Sequence, residues 1–295
     1  MTEWLWIPVT LWAAFAQTVR NAAQRHLSAE LGTLGATLVR FLYGLPFAGL
    51  WLAAVALFTS SMFPLLNGPF LGWVLLGAVS QIGGTAFLLR TMQERNFALG
   101  VAYSKTEILQ VAVFGLAFLG DPLGPAAIAA VLCGTLGVLL LSPAGGSGGW
   151  TSRSAMLGLA SGAGFALSAV GYRGAALALE GTAFLMAAAA TLLCAQILQT
   201  LLLGGWMAAR DVESVVRVLR AWRACLLAGF MGAAASAGWL TAFAIEPVAH
   251  VRTLGLIELV FSYAVSRRLF RERLSRRELA GMALLALGVL LVLQL

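Results

Sequence analysis

The chain has 295 residues, of which 60% are hydrophobic and only 11% charged. A soluble domain is about 45–50% apolar and about 25% charged, so this composition excludes a water-soluble globular fold, and it excludes disorder, which needs low hydrophobicity. The formal net charge is +7, carried by 18 arginines and a single lysine against 12 acids; most of the arginines flank apolar runs, which points to charge at a membrane surface and away from nucleic acid.

The apolar runs are long and unbroken, unlike the roughly ten-residue alternating segments of a membrane β-barrel. About 20 apolar residues cross a bilayer core as a helix, and the sequence predicts ten such spans, at 4–24, 33–58, 69–92, 97–119, 123–141, 155–178, 182–206, 222–245, 248–270 and 276–294. Pro, Gly or charge punctuates them at Pro64 to Pro69, Asp121-Pro122, Glu246-Pro247 and Arg267 to Arg277. The first apolar stretch is long enough to span and lacks a basic region before it, so it reads as a helix of the protein and not as a cleavable signal. Between the seventh and eighth spans, residues 208–222 mix apolar and charged positions: Val212, Val215, Leu219 and Trp222 share a helical face and Arg210, Asp211, Glu213, Arg217 and Arg220 occupy much of the rest, the pattern of a short helix lying in the cytoplasmic interface.

The Gly- and Ser-rich stretch 142–151 reads as a flexible linker. It divides the chain into a five-helix repeat at 1–141 and a second at 152–295. A shift of 151 residues aligns the halves without gaps from Leu75 onward, placing Glu107 on Glu258, Asp121 on Glu272 and Gly137 on Gly288. Each repeat has an odd number of spans, so the expected fold is an all-α integral membrane protein of ten helices with an inverted-topology repeat, five plus five, as in secondary transporters. Of the 19 cations, 15 sit at or near odd-numbered loops, including six from Arg267 to Arg277. The positive-inside rule puts those loops in the cytoplasm and both termini outside, in a bacterial-type inner membrane.

Motifs for enzymatic chemistry are missing. The sequence has no GxxxxGK[ST] for a P-loop, no HExxH and no GxSxG, so neither an ATPase nor a hydrolase is expected. His26 and His250 are the only histidines, and Cys133, Cys194 and Cys225 all lie in apolar runs, so no metal site, cofactor or disulfide framework is expected. Gly158 with Gly162, Gly134 with Gly137, and Gly281 with Gly288 have spacings that allow close helix packing.

The informative residues are ionisable groups inside spans, where charge is expensive and marks a cavity or a partner. Glu107 and Glu258 lie near the middle of spans four and nine. Lys105 is two residues from Glu107, and on a helix that spacing turns the two side chains about 200° apart, so they are poor partners for each other: one is expected to point into the cavity and the other to reach a partner such as Arg40 or solvent. Arg40 in span two and Arg252 in span nine are further cations available for pairing. A cavity offering both signs suits a zwitterion, since carboxylates hold an ammonium and cations hold a carboxylate. Tyr103, Gln81, Thr85, Trp12 and Trp239 are candidates to shape the same cavity; for each of them plain packing is an equally good account.

Short motifs add a resemblance that covers nearly the whole chain. Leu11-Trp12, Arg40-Phe41-Leu42 and Phe118-Leu119-Gly120-Asp121 resemble the early Leu-Trp pair, the Arg-Phe-Leu of span two and the Gly-Glu closing span four of the drug/metabolite transporter superfamily, in its ten-span EamA-type branch. Phe270-Arg271-Glu272 is a weaker second copy of the last of these. Glu107-Ile108 and Glu258-Leu259 keep the acid of that family's Glu-Pro pairs and lack the proline. The resemblance implies a basket of ten helices around a cavity lined by spans one, three, four, six, eight and nine, with cytoplasmic termini, the opposite of the charge count.

The expected function is therefore secondary transport of small zwitterionic or amphipathic metabolites, with amino acids, exported, as the leading class, by a monomer or weak dimer in the lipid bilayer. Proton-coupled efflux of cationic compounds is the alternative, with Glu107 and Glu258 as cation and proton sites.

Overall fold

A computed structural model describes residues 4–107, 109–110, 129, 132–134, 136–137, 140, 153–245, 251 and 254–292. Among these the named elements are all helices: α1 (Trp6–Leu42), α2 (Leu45–Thr59), α3 (Gly68–Glu94), α4 (Phe97–Ser104), α5 (Arg153–Leu177), α6 (Phe184–Arg210), α7 (Val212–Arg220), α8 (Trp222–Ile245), α9 (Ile257–Arg268) and α10 (Arg276–Val292). Five stretches are long and apolar enough to cross a membrane: Trp6–Thr59, Gly68–Glu94, Arg153–Leu177, Phe184–Arg210 and Trp222–Ala242. An all-helical, membrane-compatible chain is thus what the composition expects. Much of predicted spans four and five, the linker 142–151 and the start of span nine fall outside the described residues.

Local chemistry sets the helix ends. The first stretch of 54 residues would be about 80 Å long as one straight helix, far more than a bilayer core of about 30 Å. It does not run straight: Gly32 interrupts α1 at φ 70°, ψ 172°, a backbone setting open to glycine and costly for other residues. Gln24 Nε2 donates to the Ala36 carbonyl at 2.8 Å, although 12 residues of unbroken helix would hold them about 18 Å apart. The chain therefore doubles back at Gly32, giving two arms where the sequence predicts spans one and two. Asn67, Asn96 and Asp211 accept from the backbone N–H groups of Phe70, Leu99 and Ser214. Ser275 and Glu278 cap each other's N–H groups at the start of α10, so the Ser-x-x-Glu box works as such boxes do.

The chain forms two compact units, one of Met1–Ile82 with Leu167–Gly255 and one of Gly83–Ala166 with Leu256–Leu295. Each unit draws on both halves of the sequence.

In the first unit, small residues let helices approach closely. A methyl group at Gly171 would lie 2.7 Å from the backbone N of Gly77, and one at Gly174 would lie 2.5 Å from the Trp73 ring. Gly238 meets Ala13 in the same way, at 2.9 Å. Phe70, Val74, Ala175, Leu179, Ala187 and Ala195 form a buried apolar cluster beside these crossings.

In the second unit the same device recurs. A methyl at Gly137 would come within 2.7 Å of Leu285 N and 2.9 Å of the Gly281 carbonyl, and one at Gly158 within 2.5 Å of Tyr103 Cβ. The glycine spacings read from the sequence are thus packing points at Gly134, Gly137, Gly158 and Gly162. Phe97 stacks on Phe270 with ring centroids 5.4 Å apart, joining the start of α4 to the end of α9.

Candidate functional site

The second unit holds the only lysine of the chain in a buried ion pair. Helix α4 is regular to Ser104 and tightens at Lys105, whose N–H donates to the Ala102 carbonyl at 3.1 Å and the Val101 carbonyl at 3.3 Å. Ser104 and Thr106 turn their hydroxyls back onto the carbonyls of Val101 and Tyr103, both at 2.7 Å, a local competition with the helix ladder. Helical geometry resumes at Thr106 and Glu107. From this turn the Lys105 ammonium donates to Glu258 Oε2, and the two side chains are only 6% and 1% exposed.

Glu258 sits at the start of α9, beyond an equivalent interruption. The chain is helical at Leu254 and Gly255, turns at Leu256, and is helical again from Ile257. The turn residues Lys105 and Leu256 are 151 residues apart, and each stands two residues before a buried glutamate. Neither turn has a proline. The hydroxyl back-bonds around Lys105, and the 2.9 Å bond from Leu259 N–H to the Leu256 carbonyl, are the local geometry that takes its place.

Glu258, Ser262 and Ser266 follow at four-residue spacing along one face of α9, all buried. Ser266 Oγ donates to Glu272 Oε2 at 2.6 Å, and Glu272 also accepts the Phe97 N–H at 3.0 Å. Ser262 Oγ is buried and has no hydrogen-bond partner among the described residues. A polar line thus runs down α9 from the ion pair to the partly exposed Glu272. Nearer that end, Arg95 pairs with Glu278 at 3.0 Å.

The first unit holds a neutral polar cluster instead. Tyr172 OH donates to Gln81 Oε1 at 3.1 Å, and Gln199 Nε2 donates to Gln81 Oε1 at 2.8 Å and to Tyr172 OH at 3.0 Å. Gln199 Oε1 is buried and has no hydrogen-bond partner among the described residues. Trp239 Nε1 donates to Gln17 Oε1 at 3.0 Å. Arg20 and Arg40 are buried on the two arms of α1, and a methyl at Gly232 would touch both of their aliphatic stems, at 3.4 and 3.3 Å.

Set against the sequence, the placements divide. Tyr103, Thr85, Lys105, Glu107 and Glu258 are all buried in the second unit. Gln81, Trp12 and Trp239 belong to the first. Trp12 lies on an exposed aromatic face with Phe15, at 44% exposure. Arg252 lies outside the described residues. The divergence of Lys105 and Glu107 leads Lys105 to Glu258; opposite charge in spans four and nine is the signal that points to this pairing. Arg20, counted by sequence among the surface cations, is buried with its guanidinium forked on Asn21 Oδ1 at 2.7 and 3.2 Å. Tyr172 and Gln199 were not foreseen, because a tyrosine and a glutamine in an apolar run carry no periodic signature. Among the described residues no cluster of three or more His, Cys, Asp or Glu is placed to hold a metal.

No protein-family model matches the chain, and no curated protein matches it. Among solved structures, a crystal structure described only as that of a protein is similar over 97% of this chain and 94% of its own, with a TM-score of 0.62 at 19% sequence identity. That likeness establishes a shared fold.

Proposed function

We propose that the protein is a secondary transporter of small zwitterionic metabolites, with amino acids as the leading class and export as the direction. It sits in a bacterial-type inner membrane as a ten-span inverted repeat that works by alternating access. The observation that carries this reading is the pair of matched interruptions at Lys105 and Leu256, each two residues before a buried glutamate, with Lys105 and Glu258 joined in an ion pair. Broken helices that present charge at membrane depth are a recurring device of transporter sites. The register of the two turns, and the drawing of each compact unit from both sequence halves, support the repeat.

The zwitterion follows from electrostatics. A buried ion pair is held by mutual attraction against a desolvation cost of several kcal/mol per ion, so neither partner can be exposed alone to a low-dielectric site. A zwitterion entering between Lys105 and Glu258 gives its carboxylate to the ammonium and its ammonium to the carboxylate. One pair becomes two, and no net charge is added to the interior. The two sequence halves then exchange roles to open the site to the other side, with the arginine-rich odd loops in the cytoplasm.

A second reading, efflux of cationic compounds, has one observation in its favour: Lys105, Glu107 and Glu258 are all buried, and with full ionisation their charges sum to −1. Counterflow in proteoliposomes, with amino acids and quaternary ammonium ions as a panel, separates the readings. Exchange of labelled amino acids supports the first; exchange confined to the quaternary ions transfers the assignment to the second; exchange of neither removes both.

A further inference from the structure

We propose that the corner formed by the end of α6, α7 and the start of α8 is a binding site for anionic phospholipid headgroups. The three helices meet through single-residue joints, Asp211 and Ala221. Between Trp206 and Arg223 the chain carries four arginines and two acids. Both acids are occupied locally. Asp211 caps α7, accepting from Ser214 N at 3.0 Å and from the Ser214 hydroxyl, and those bonds hold its carboxyl below the usual carboxylate range. Arg217 lies 3.9 Å from Asp211 and 3.8 Å from Glu213.

The other three arginines, Arg210, Arg220 and Arg223, are exposed and have no carboxylate partner among the described residues. Two of them rest on tryptophans: Arg210 lies 5.6 Å from the Trp206 ring centroid and Arg223 lies 5.2 Å from that of Trp222. The indoles themselves are 50% and 48% exposed. An exposed indole carrying a guanidinium on its face is suited to the membrane interface, where the ring takes the headgroup–acyl boundary and the cation the phosphate level.

Helix α7 adds the third side of the site. Val218 is fully buried, and Tyr43 OH anchors that region by donating to the Val218 carbonyl at 3.0 Å. Val212 and Leu219 are 60% and 51% exposed on a flank next to the buried face, while Glu213, Arg217 and Arg220 turn to the other side. A helix with one face held by protein, an apolar flank and a charged face lies along a bilayer surface. Water would penalise the exposed Val212, Leu219, Trp206 and Trp222, and a neutral headgroup would leave three guanidiniums without counter-charge. An anionic phospholipid satisfies both, since its acyl chain covers the apolar flank and its phosphate accepts forked hydrogen bonds from arginine.

The test uses the full chain in nanodiscs, checked for monodispersity, of phosphatidylcholine alone and of phosphatidylcholine with phosphatidylglycerol. Retained phosphatidylglycerol is counted by native mass spectrometry, and thermal unfolding is followed in both. Wild type is expected to retain phosphatidylglycerol and to unfold at a higher temperature in its presence. Each of Arg210→Gln, Arg220→Gln and Arg223→Gln is expected to weaken retention about fivefold, the share of one arginine near an anionic surface. A control triple at the other arginine-rich loop, Arg268→Gln with Arg271→Gln and Arg273→Gln, is expected to lose less of both effects than the three corner substitutions combined, and free inorganic phosphate is expected to produce neither. Equal stability of wild type in the two lipids, or an equal loss in the control triple, overturns the proposal.

Discussion

The two compact units bury polarity in different ways. In the first, Gln81, Tyr172 and Gln199 share neutral hydrogen bonds between 2.8 and 3.1 Å, and the cations Arg20 and Arg40 are buried in the same unit. In the second, Lys105 and Glu258 face each other as full charges, with 6% and 1% of their side chains exposed. A neutral network holds helices in place at a net gain of about 1 kcal/mol per bond. A buried ion pair contributes little net stability over an apolar pair of the same shape, and removing one partner is severe. Folding alone gives little reason for the charges, and the proposed exchange with a charged substrate would supply one.

The largest expected effect breaks the charged side of this comparison. Lys105→Met or Glu258→Gln alone leaves one buried charge behind and is expected to destabilise by about 3–5 kcal/mol. Thermal unfolding in nanodiscs checks this; a change within the scatter of surface substitutions would mean that the pair is not buried together. The double variant is expected to recover most of that stability, because neither charge remains to be compensated.

The neutral side responds differently. Gln199→Leu removes the amide that donates to both Gln81 and Tyr172 while their mutual hydrogen bond remains, and it is expected to cost about 1 kcal/mol, the net worth of a typical hydrogen bond. Amino-acid counterflow per folded molecule should persist. A Gln199→Leu protein that is stable and inactive would move the candidate site into the first unit.

Packing offers a comparison of similar size within the first unit. Gly171→Ala drives a methyl to 2.7 Å from the Gly77 nitrogen. Overpacking at a helix crossing costs about 1–3 kcal/mol, and the Tm should fall accordingly. Gly205→Ala is the control, since nothing lies within 4 Å of that position inside α6, and with glycine's helix cost removed it is expected to hold or slightly raise the Tm.

The smallest effect concerns Asp211, whose exposed carboxyl is held low by hydrogen bonds from Ser214. A depressed folded value means that the cap is complete above the ordinary aspartate value of about 3.9 and is lost as pH falls below it, through the folded value. Protection of the α7 amides, relative to their intrinsic exchange rates, should therefore fall only below about pH 4, and Asp211→Ala should remove that dependence.

Much of the helical architecture was legible because a membrane makes hydrophobic runs unambiguous. The doubling back at Gly32, the Asn96, Asp211 and Ser275 caps and the glycine crossings each have a local signature in the sequence. The candidate site was legible only in part. Lys105, Glu107 and Glu258 stood out because charge in an apolar run is rare, but their pairing depends on which helix faces which, and periodicity carries no such information. Arg20 resembled a surface cation because it lies near the end of a predicted span, and its burial depends on the approach of Gly232 on α8 to its aliphatic stem. Tyr172 and Gln199 were invisible for the opposite reason: either residue is unremarkable in a helix, and their roles arise from meeting Gln81 across three helices.

The most direct measurement is amino-acid counterflow in proteoliposomes with the Lys105→Met, Glu258→Gln double variant, normalised to folded protein. Removing both charges together should leave a stable helical protein that no longer exchanges zwitterions, with flux at the protein-free baseline. A double variant that exchanges amino acids at the wild-type rate would make the ion pair a structural feature and would contradict the account.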